Sequence, residues 1–390
     1  MKRIGIPVVI DGDAWHGGNN YFLSLLDVLS EHCPADLQFF MLTNRSDLFD
    51  KPYSDQVQVR QCDQLTCISD RTRRLSRHFQ TDIRLAYYAR QYQLDLLTHA
   101  MPGTRLVPPT VYWMPDFQHC YLPQLFQPAE LQTRDRNISM AAERSGHLML
   151  SSQAAATDFQ TFFPQYSTVQ THVVHFSPFI LEQDFSLFRQ TLQQPEQDAA
   201  FFYLPNQFWT HKNHLLVLDA LTKLPNDIKV ICTGNPDDYR NKNHMDDIRA
   251  RISRDGLEER FIIKGLVSRS EIIRLMAGSV AVINPSLFEG WSTTIEEAKA
   301  FGKTVLLSDI PVHREQAPKS ASYFPPQHSD ALAAVMLQTW QQRATLHQTE
   351  LAGLDAARQR YQLARQDFAN RYIAMVRTML RTTPHRSHNL

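Results

Sequence analysis

Two carboxylates, Glu289 and Glu297, stand eight positions apart in the run Asn284-Pro285-Ser286-Leu287-Phe288-Glu289-Gly290-Trp291-Ser292-Thr293-Thr294-Ile295-Glu296-Glu297-Ala298. The run follows an aliphatic stretch and opens a helical one, so it reads as a strand-to-helix connection. Thr293 and Glu296 have the T-x-x-E spacing of a capping box, which predicts a helix beginning at Thr294. Such an entrance leaves backbone N–H groups unpaired and carries roughly half a unit of positive charge, so Ser292, Thr293 and Thr294 are candidates for holding a phosphate. Glu289 and Glu297 then flank whatever the helix end binds. Beside a phosphate, a carboxylate is better used accepting hydrogen bonds from hydroxyls, such as those of a ribose and a sugar. The competing reading is two solvated carboxylates that merely complement the helix dipole.

Positioning these groups takes a scaffold, and 390 residues suffice for two domains, or three, at roughly 100–200 residues each. Forty Lys and Arg balance forty Asp and Glu, so the broad basic excess of a duplex-DNA binder is absent and no nucleic-acid partner is expected. The five cysteines, Cys33, Cys62, Cys67, Cys120 and Cys232, are odd in number and lack paired spacing. Neither a disulfide framework nor a metal site is expected, which suits a cytoplasmic protein. The apolar start Ile4–Ile10 is closed by Asp11 and Asp13 too early for a signal peptide, and no run of about 20 apolar residues suggests a spanning helix.

Short aliphatic runs alternate with helical-period segments, and the pattern occurs twice. Strands are expected at Ile4–Ile10, Leu37–Leu42, Leu94–Thr98, Thr110–Trp113, Leu148–Ser151 and His172–Phe176, with helices including Tyr21–Ser30 and Gln153–Phe162. A second series follows at Phe201–Tyr203, Ile228–Gly234, Phe261–Lys264, Ser279–Ile283 and Thr304–Ser308. The Gln-, Pro- and Glu-rich stretch Ser177–Ala199 reads as a linker, and Asp330–Leu380 as terminal helices. The fold class is α/β: two doubly wound, Rossmann-like domains at 1–180 and 200–365, with a helix at 366–390 packing back on the first. Such folds bind ligands at the carboxyl ends of their strands, here expected to face a central cleft. Neither G-x-G-x-x-G nor G-x-x-x-x-G-K-[ST] occurs, which argues against a dehydrogenase or P-loop NTPase.

The Glu289…Glu297 run resembles the E-x7-E motif of the retaining nucleotide-sugar glycosyltransferases of the GT-B fold, glycosyltransferase family 4. Gly265-Leu266-Val267-Ser268-Arg269-Ser270-Glu271 is similar to the family's strand-end loop, and Ser268 with Glu271 repeats the capping-box spacing. The resemblance spans about Phe201–Pro318 and implies a nucleoside diphosphate sugar donor bound mainly to the second domain, with no cofactor and no metal. It implies that Glu289 contacts donor-sugar hydroxyls and Glu297 the ribose, with Val267 at the base and Gly234 near the nucleotide. In Leu204-Pro205-Asn206-Gln207-Phe208-Trp209-Thr210-His211-Lys212-Asn213-His214, Lys212 matches the family lysine that neutralises the diphosphate. The family's arginine is absent near Asn206, and Asn206, His211 or a residue of the other domain is expected to compensate. Gly17 and Gly18 resemble the family's Gly-Gly loop near the donor phosphate or acceptor, and His119, in Trp113-Met114-Pro115-Asp116-Phe117-Gln118-His119, matches a histidine near the donor sugar.

The resemblance implies a hexosyltransferase-type enzyme acting on a glycan or lipid-linked acceptor in bacterial surface polysaccharide synthesis. The basic run containing Arg73, Arg74 and Arg77 reads as an acceptor or membrane-surface patch, giving peripheral contact at the inner face of the plasma membrane. A nucleotide-sugar epimerase and a catalytically silent sugar-nucleotide-binding or assembly protein are the alternatives.

Overall fold

The computed structural model describes residues 1–10, 16–66, 69–78, 80–103, 106–193, 200–316 and 318–382. Two compact units result. The first comprises Met1–Phe117, Pro128–Phe179 and the chain from Leu363 onward; the second comprises Gln118–Gln127 and Ile180–Gln362.

In the first unit, strands β1 (Lys2–Val8), β2 (Leu37–Thr43), β3 (Val57–Gln61), β4 (Leu96–Thr98), β5 (Thr110–Met114), β6 (His147–Leu150) and β7 (Gln170–Val173) form a parallel sheet in the order β3-β2-β1-β4-β5-β6-β7. All seven residues of β2 are buried, as expected for a strand covered on both faces by crossover helices. The order runs outward in both directions from β1 and β4, which makes their junction the switch point. The 40-residue helix Arg343–Thr382 lends Phe368, Tyr372 and Met379 to this unit's core, and the Tyr372 hydroxyl lies 2.6 Å from Thr98 Oγ1. Its earlier residues Leu354 and Tyr361 belong to the core of the second unit.

The second unit repeats the plan with β8 (Phe202–Leu204), β9 (Val230–Thr233), β10 (Phe261–Gly265), β11 (Val282–Asn284), β12 (Val305–Ser308) and β13 (Ala321–Phe324), all parallel in the order β10-β9-β8-β11-β12-β13. Its switch point lies between β8 and β11, whose loops carry Lys212 and Glu289.

Three sequence expectations need correcting. Strands β3 and β13 had no clear signal, because each is a half-exposed edge strand without an apolar run. The supposed linker contains helix Glu182–Gln193, with Phe185, Phe188 and Leu192 buried at i, i+3 and i+7. Those three anchors are diluted by polar neighbours, yet Phe188 stacks on Phe301 with centroids 4.5 Å apart. The first helix starts at His16 rather than Tyr21, so Gly17 and Gly18 lie in its first turn and not in a loop ahead of it. The preceding residues 11–15 and Cys67 lie outside the described residues.

Candidate active site

Two loops meet at the β8/β11 switch point. After β8 the chain passes through Pro205 and Asn206 to a 3-10 turn, Thr210–Lys212, which ends at Asn213 in the left-handed region (φ 60°). Asn tolerates that conformation, and its side chain fixes the turn by donating to the carbonyls of Pro285 (3.1 Å) and Pro326 (2.9 Å). After β11, the backbone N–H of Leu287 donates to the carbonyl of His211 at 2.8 Å. The two loops are therefore stitched together, and Lys212 Nζ donates to Glu289 Oε1 at 2.6 Å.

Burial alone would push the Glu289 carboxyl up, but the facing charges bring it down to about 2. At neutral pH His211 and His313 are neutral rings, because burial holds His211 well below its ordinary value and His313 at about 4; they help lower Glu289 only in acid, as they gain charge. The Lys212 ammonium is thus the charge that keeps Glu289 ionised. Ser286 Oγ also sits 2.6 Å from Glu289 Oε1 and 2.7 Å from Asn284 Oδ1. Its single proton can serve one of them at a time, and the carboxylate is the stronger acceptor. Among the described residues no donor reaches Glu289 Oε2, which is left for an incoming hydroxyl.

The helix beside this pair runs Thr293–Phe301. Its N-cap is Ser292, not Thr293, and the Ser292 side chain makes no capping bond because its Oγ accepts from Asn284 Nδ2 at 2.9 Å. Glu296 closes no capping box either: Gln316 Nε2 and Lys299 Nζ each donate to it at 2.9 Å. Thr293 and Thr294 are half-buried at the helix entrance, where the first-turn amides lack that side-chain cap. Glu297 pairs with Arg269, whose Nε also donates to the buried Asp184 at 3.2 Å. Ser268 does cap the next helix, Arg269–Gly278, accepting from the Glu271 amide, while the Glu271 carboxylate takes Lys264 instead of completing the box.

Asn206 is 3% exposed and donates to Asn284 Oδ1 at 3.2 Å, so its amide serves the loop framework. Gly234, at φ 145°, is required by that same framework: a Cβ there would lie 2.4 Å from the Asn206 carbonyl oxygen. Val267 is half-buried between β10 and the Arg269 helix. His119 is 3% exposed in the short helix Gln118–Tyr121, a segment that belongs to the second unit, as Lys212 does. Among the described residues, no group of three or more His, Cys, Asp or Glu side chains could hold a metal ion.

Residues 184–352 match the family model described as "Glycosyl transferases group 1". A sucrose-phosphate synthase from Thermosynechococcus elongatus superposes with a TM-score of 0.70 at 17% identity, covering 98% of this chain and 100% of that one. Anabaena HepE, solved with UDP and glucose, gives 0.67 at 18% identity, covering 97% and 100%. The chain has the GT-B fold. WaaG, a glycosyltransferase involved in lipopolysaccharide biosynthesis, shares this fold with a TM-score of 0.58 at 13% identity, covering 98% and 100%. No curated protein sequence matches the chain at a significant level.

Within this GT-B chain, Gly17 and Gly18 and the basic helix Asp70–His78 fall in the first unit. Arg74 is exposed; the side chains of Arg73 and Arg77 lie outside the described residues. Among the described residues no helix is long and apolar enough to cross a membrane. Sequence reasoning missed Arg240, which lies behind the Lys212 turn, and gave no role to Arg269 although it stands inside a recognised motif. The local run Asp237-Asp238-Tyr239-Arg240 supplies Asp238 and Tyr239 as neighbours, but the partners that tie Arg240 to the site, Gln118, Phe126, Trp209 and His211, come from elsewhere in the chain.

Proposed function

We propose that the protein is a retaining, metal-independent glycosyltransferase of the family 4 type, moving a hexosyl group from a nucleoside diphosphate sugar to an acceptor hydroxyl. The observation that carries this reading is the Lys212–Glu289 pair at the β8/β11 switch point, beside a helix entrance that its own N-cap side chain leaves open. As the glycosidic C–O bond cleaves, negative charge grows on the diphosphate. The Lys212 ammonium and the first-turn amides of helix Thr293–Phe301 stabilise that charge.

Glu289 orients the sugar. A carboxyl held at about 2 carries no proton to donate at neutral pH, so it accepts a hydroxyl hydrogen bond rather than acting as a general acid. Retention then follows from front-face attack by the acceptor on the same side as the departing diphosphate. Glu297, oriented by Arg269, accepts from the ribose hydroxyls. The UDP and glucose bound by Anabaena HepE support a donor of this class, and the role of WaaG in lipopolysaccharide biosynthesis supports a glycan or lipid-linked acceptor in surface polysaccharide synthesis.

Thermal shift with UDP-, GDP- and dTDP-sugars should reveal the donor, because a ligand that binds only the folded state raises its stability by mass action. With the donor in hand, Glu297→Ala should weaken donor binding about tenfold, the size of a lost charge-assisted hydrogen bond. Lys212→Ala should lower kcat by roughly 10²–10³. Wild-type kinetics in both variants would overturn the assignment. A second reading, a silent sugar-nucleotide-binding protein, is favoured by Asn206 being committed to Asn284; calorimetric binding with no transfer to any acceptor would select it. Peripheral membrane contact through the basic helix predicts salt-sensitive binding to anionic liposomes that weakens in Arg74→Glu.

A further inference from the structure

Arg240 is a buried cation with no role in the reading above. Its side chain is 6% exposed, and its guanidinium lies 5.2 Å from the ring centres of both Phe126 and Trp209 and 5.3 Å from that of Tyr239. Nη1 donates to Gln118 Oε1 at 2.9 Å. On the same loop, Asp238 accepts from the Thr210 amide (2.9 Å) and hydroxyl (3.1 Å) through Oδ2, and from the Arg240 amide (3.1 Å) through Oδ1. The loop therefore holds the turn that bears Lys212, and Asp238 Oδ1 also lies 3.6 Å from Arg240 Nε as the counter-charge of the fork. Three rings, the Asp238 carboxylate and the polar atoms of Gln118 and His211 leave the fork little freedom to rotate.

Its other terminal nitrogen, Nη2, lies 3.3 Å from His211 Nδ1. A guanidinium only donates, so Nδ1 must accept, and the proton of the neutral ring is placed on Nε2. His211 is 4% exposed, neighbours Lys212 in the chain, and is joined to the Glu289 loop through its own carbonyl. We infer that Arg240 is a positioning residue of the donor site: it fixes His211 as the Nε2–H tautomer, a second hydrogen-bond donor beside Lys212 for the diphosphate of the sugar nucleotide. A neutral imidazole suits this place because it adds a donor without adding another charge next to Lys212. The inference rests on the donor site proposed above.

The tautomer can be read without turnover. Full-length protein labelled with ¹⁵N-histidine, with the His211 signal assigned by its loss in His211→Asn, should show an unprotonated Nδ1 and a protonated Nε2. In Arg240→Met the signal should move to the Nδ1–H form or to a mixture, and adding UDP to the wild type should shift the Nε2 resonance. In kinetics, Arg240→Met should lower kcat ten- to hundredfold with the donor KM changed less than threefold, and Arg240→Met should add less than twofold on a His211→Asn background. Arg240→Lys keeps a buried cation if the Met variant folds poorly, and should lose most of the tautomer preference because the fork is gone. An unchanged His211 tautomer in both Arg240 variants, or full additivity with His211→Asn, overturns the inference. UDP binding that leaves Nε2 unmoved overturns its diphosphate half, whereas no binding of any sugar nucleotide overturns the donor-site reading while the tautomer result still stands.

Discussion

Two of the Lys–Glu pairs in the second unit, Lys303–Glu350 and Lys212–Glu289, differ in how completely they are satisfied. Lys303 is 1% exposed and Glu350 4% exposed; Lys303 Nζ donates to Glu350 Oε2 at 2.8 Å and to the carbonyls of Ser279 and Ala277. The other carboxylate oxygen of Glu350 accepts from the Thr304 amide at 2.8 Å. All three ammonium protons and both carboxylate oxygens are in use. Lys212 and Glu289, at 14% and 9% exposure, are nearly as buried. Yet Lys212 Nζ has one hydrogen-bond partner among the described residues, and both donors to Glu289 converge on Oε1. The first pair is closed upon itself. The second retains ammonium protons and a carboxylate oxygen, and that spare capacity distinguishes the proposed donor site from a structural tie.

The largest effect expected from this contrast is on folding. Glu350→Ala would strand Lys303 among carbonyls with no counter-charge, and breaking a buried pair in this way costs about 3–5 kcal/mol. Urea denaturation followed by circular dichroism should show that loss, while the folded fraction should bind sugar nucleotide as the wild type does. Lys212→Ala should behave in the opposite sense. Its stability loss should be smaller, about 1–3 kcal/mol, because Glu289 keeps the Ser286 hydroxyl as a donor, alongside the large fall in kcat. Equal destabilisation by the two substitutions would erase the distinction.

Much of this site was legible because its parts are local. The alternation of aliphatic runs and helical periods marked the strands around the β8/β11 switch point, and Glu289, Glu297 and Lys212 all lie on the connections that leave the ends of β11 and β8. Electrostatic pairing was not legible. Nothing in the spacing showed that Lys212 would reach Glu289, 77 positions away, or that Arg269 would hold Glu297. Arg240 was invisible for the same reason, since its grip on Gln118 joins residues 122 positions apart. The helix cap failed for a different cause. Thr293 and Glu296 have the right spacing, but Gln316 and Asn284, brought in by tertiary packing, claim the side chains around Ser292 and Glu296. Local rules predict where a helix begins to within a residue or so and are overruled where buried amides compete.

The last effect, confined to acid pH, concerns the ring next to the Lys212 turn. His214 is fully buried and stacks on Phe208 with centroids 4.4 Å apart; neither ring nitrogen makes a well-formed hydrogen bond, the Asn206 backbone being the polar group that opposes its neutral state. Burial, with His244 and Lys212 adding to it, pulls its pKa down to about 3. Between that value and the ordinary 6.5, the unfolded chain binds a proton that the folded chain refuses, so stability falls as pH drops through 6.5. From pH 7 to 5 the loss from this residue is about 2 kcal/mol, and His99 and His313, also buried and neutral, add losses of the same sign. His214→Phe keeps the stack and removes the titration. Its urea midpoint should therefore decline less than that of the wild type between pH 7 and 5, by the equivalent of that same 2 kcal/mol. An identical decline in both proteins would mean that His214 finds a proton acceptor in the folded state. The spare valences at the mouth of this unit would then extend deeper than the Lys212–Glu289 pair, weakening the contrast with the closed pair at Lys303.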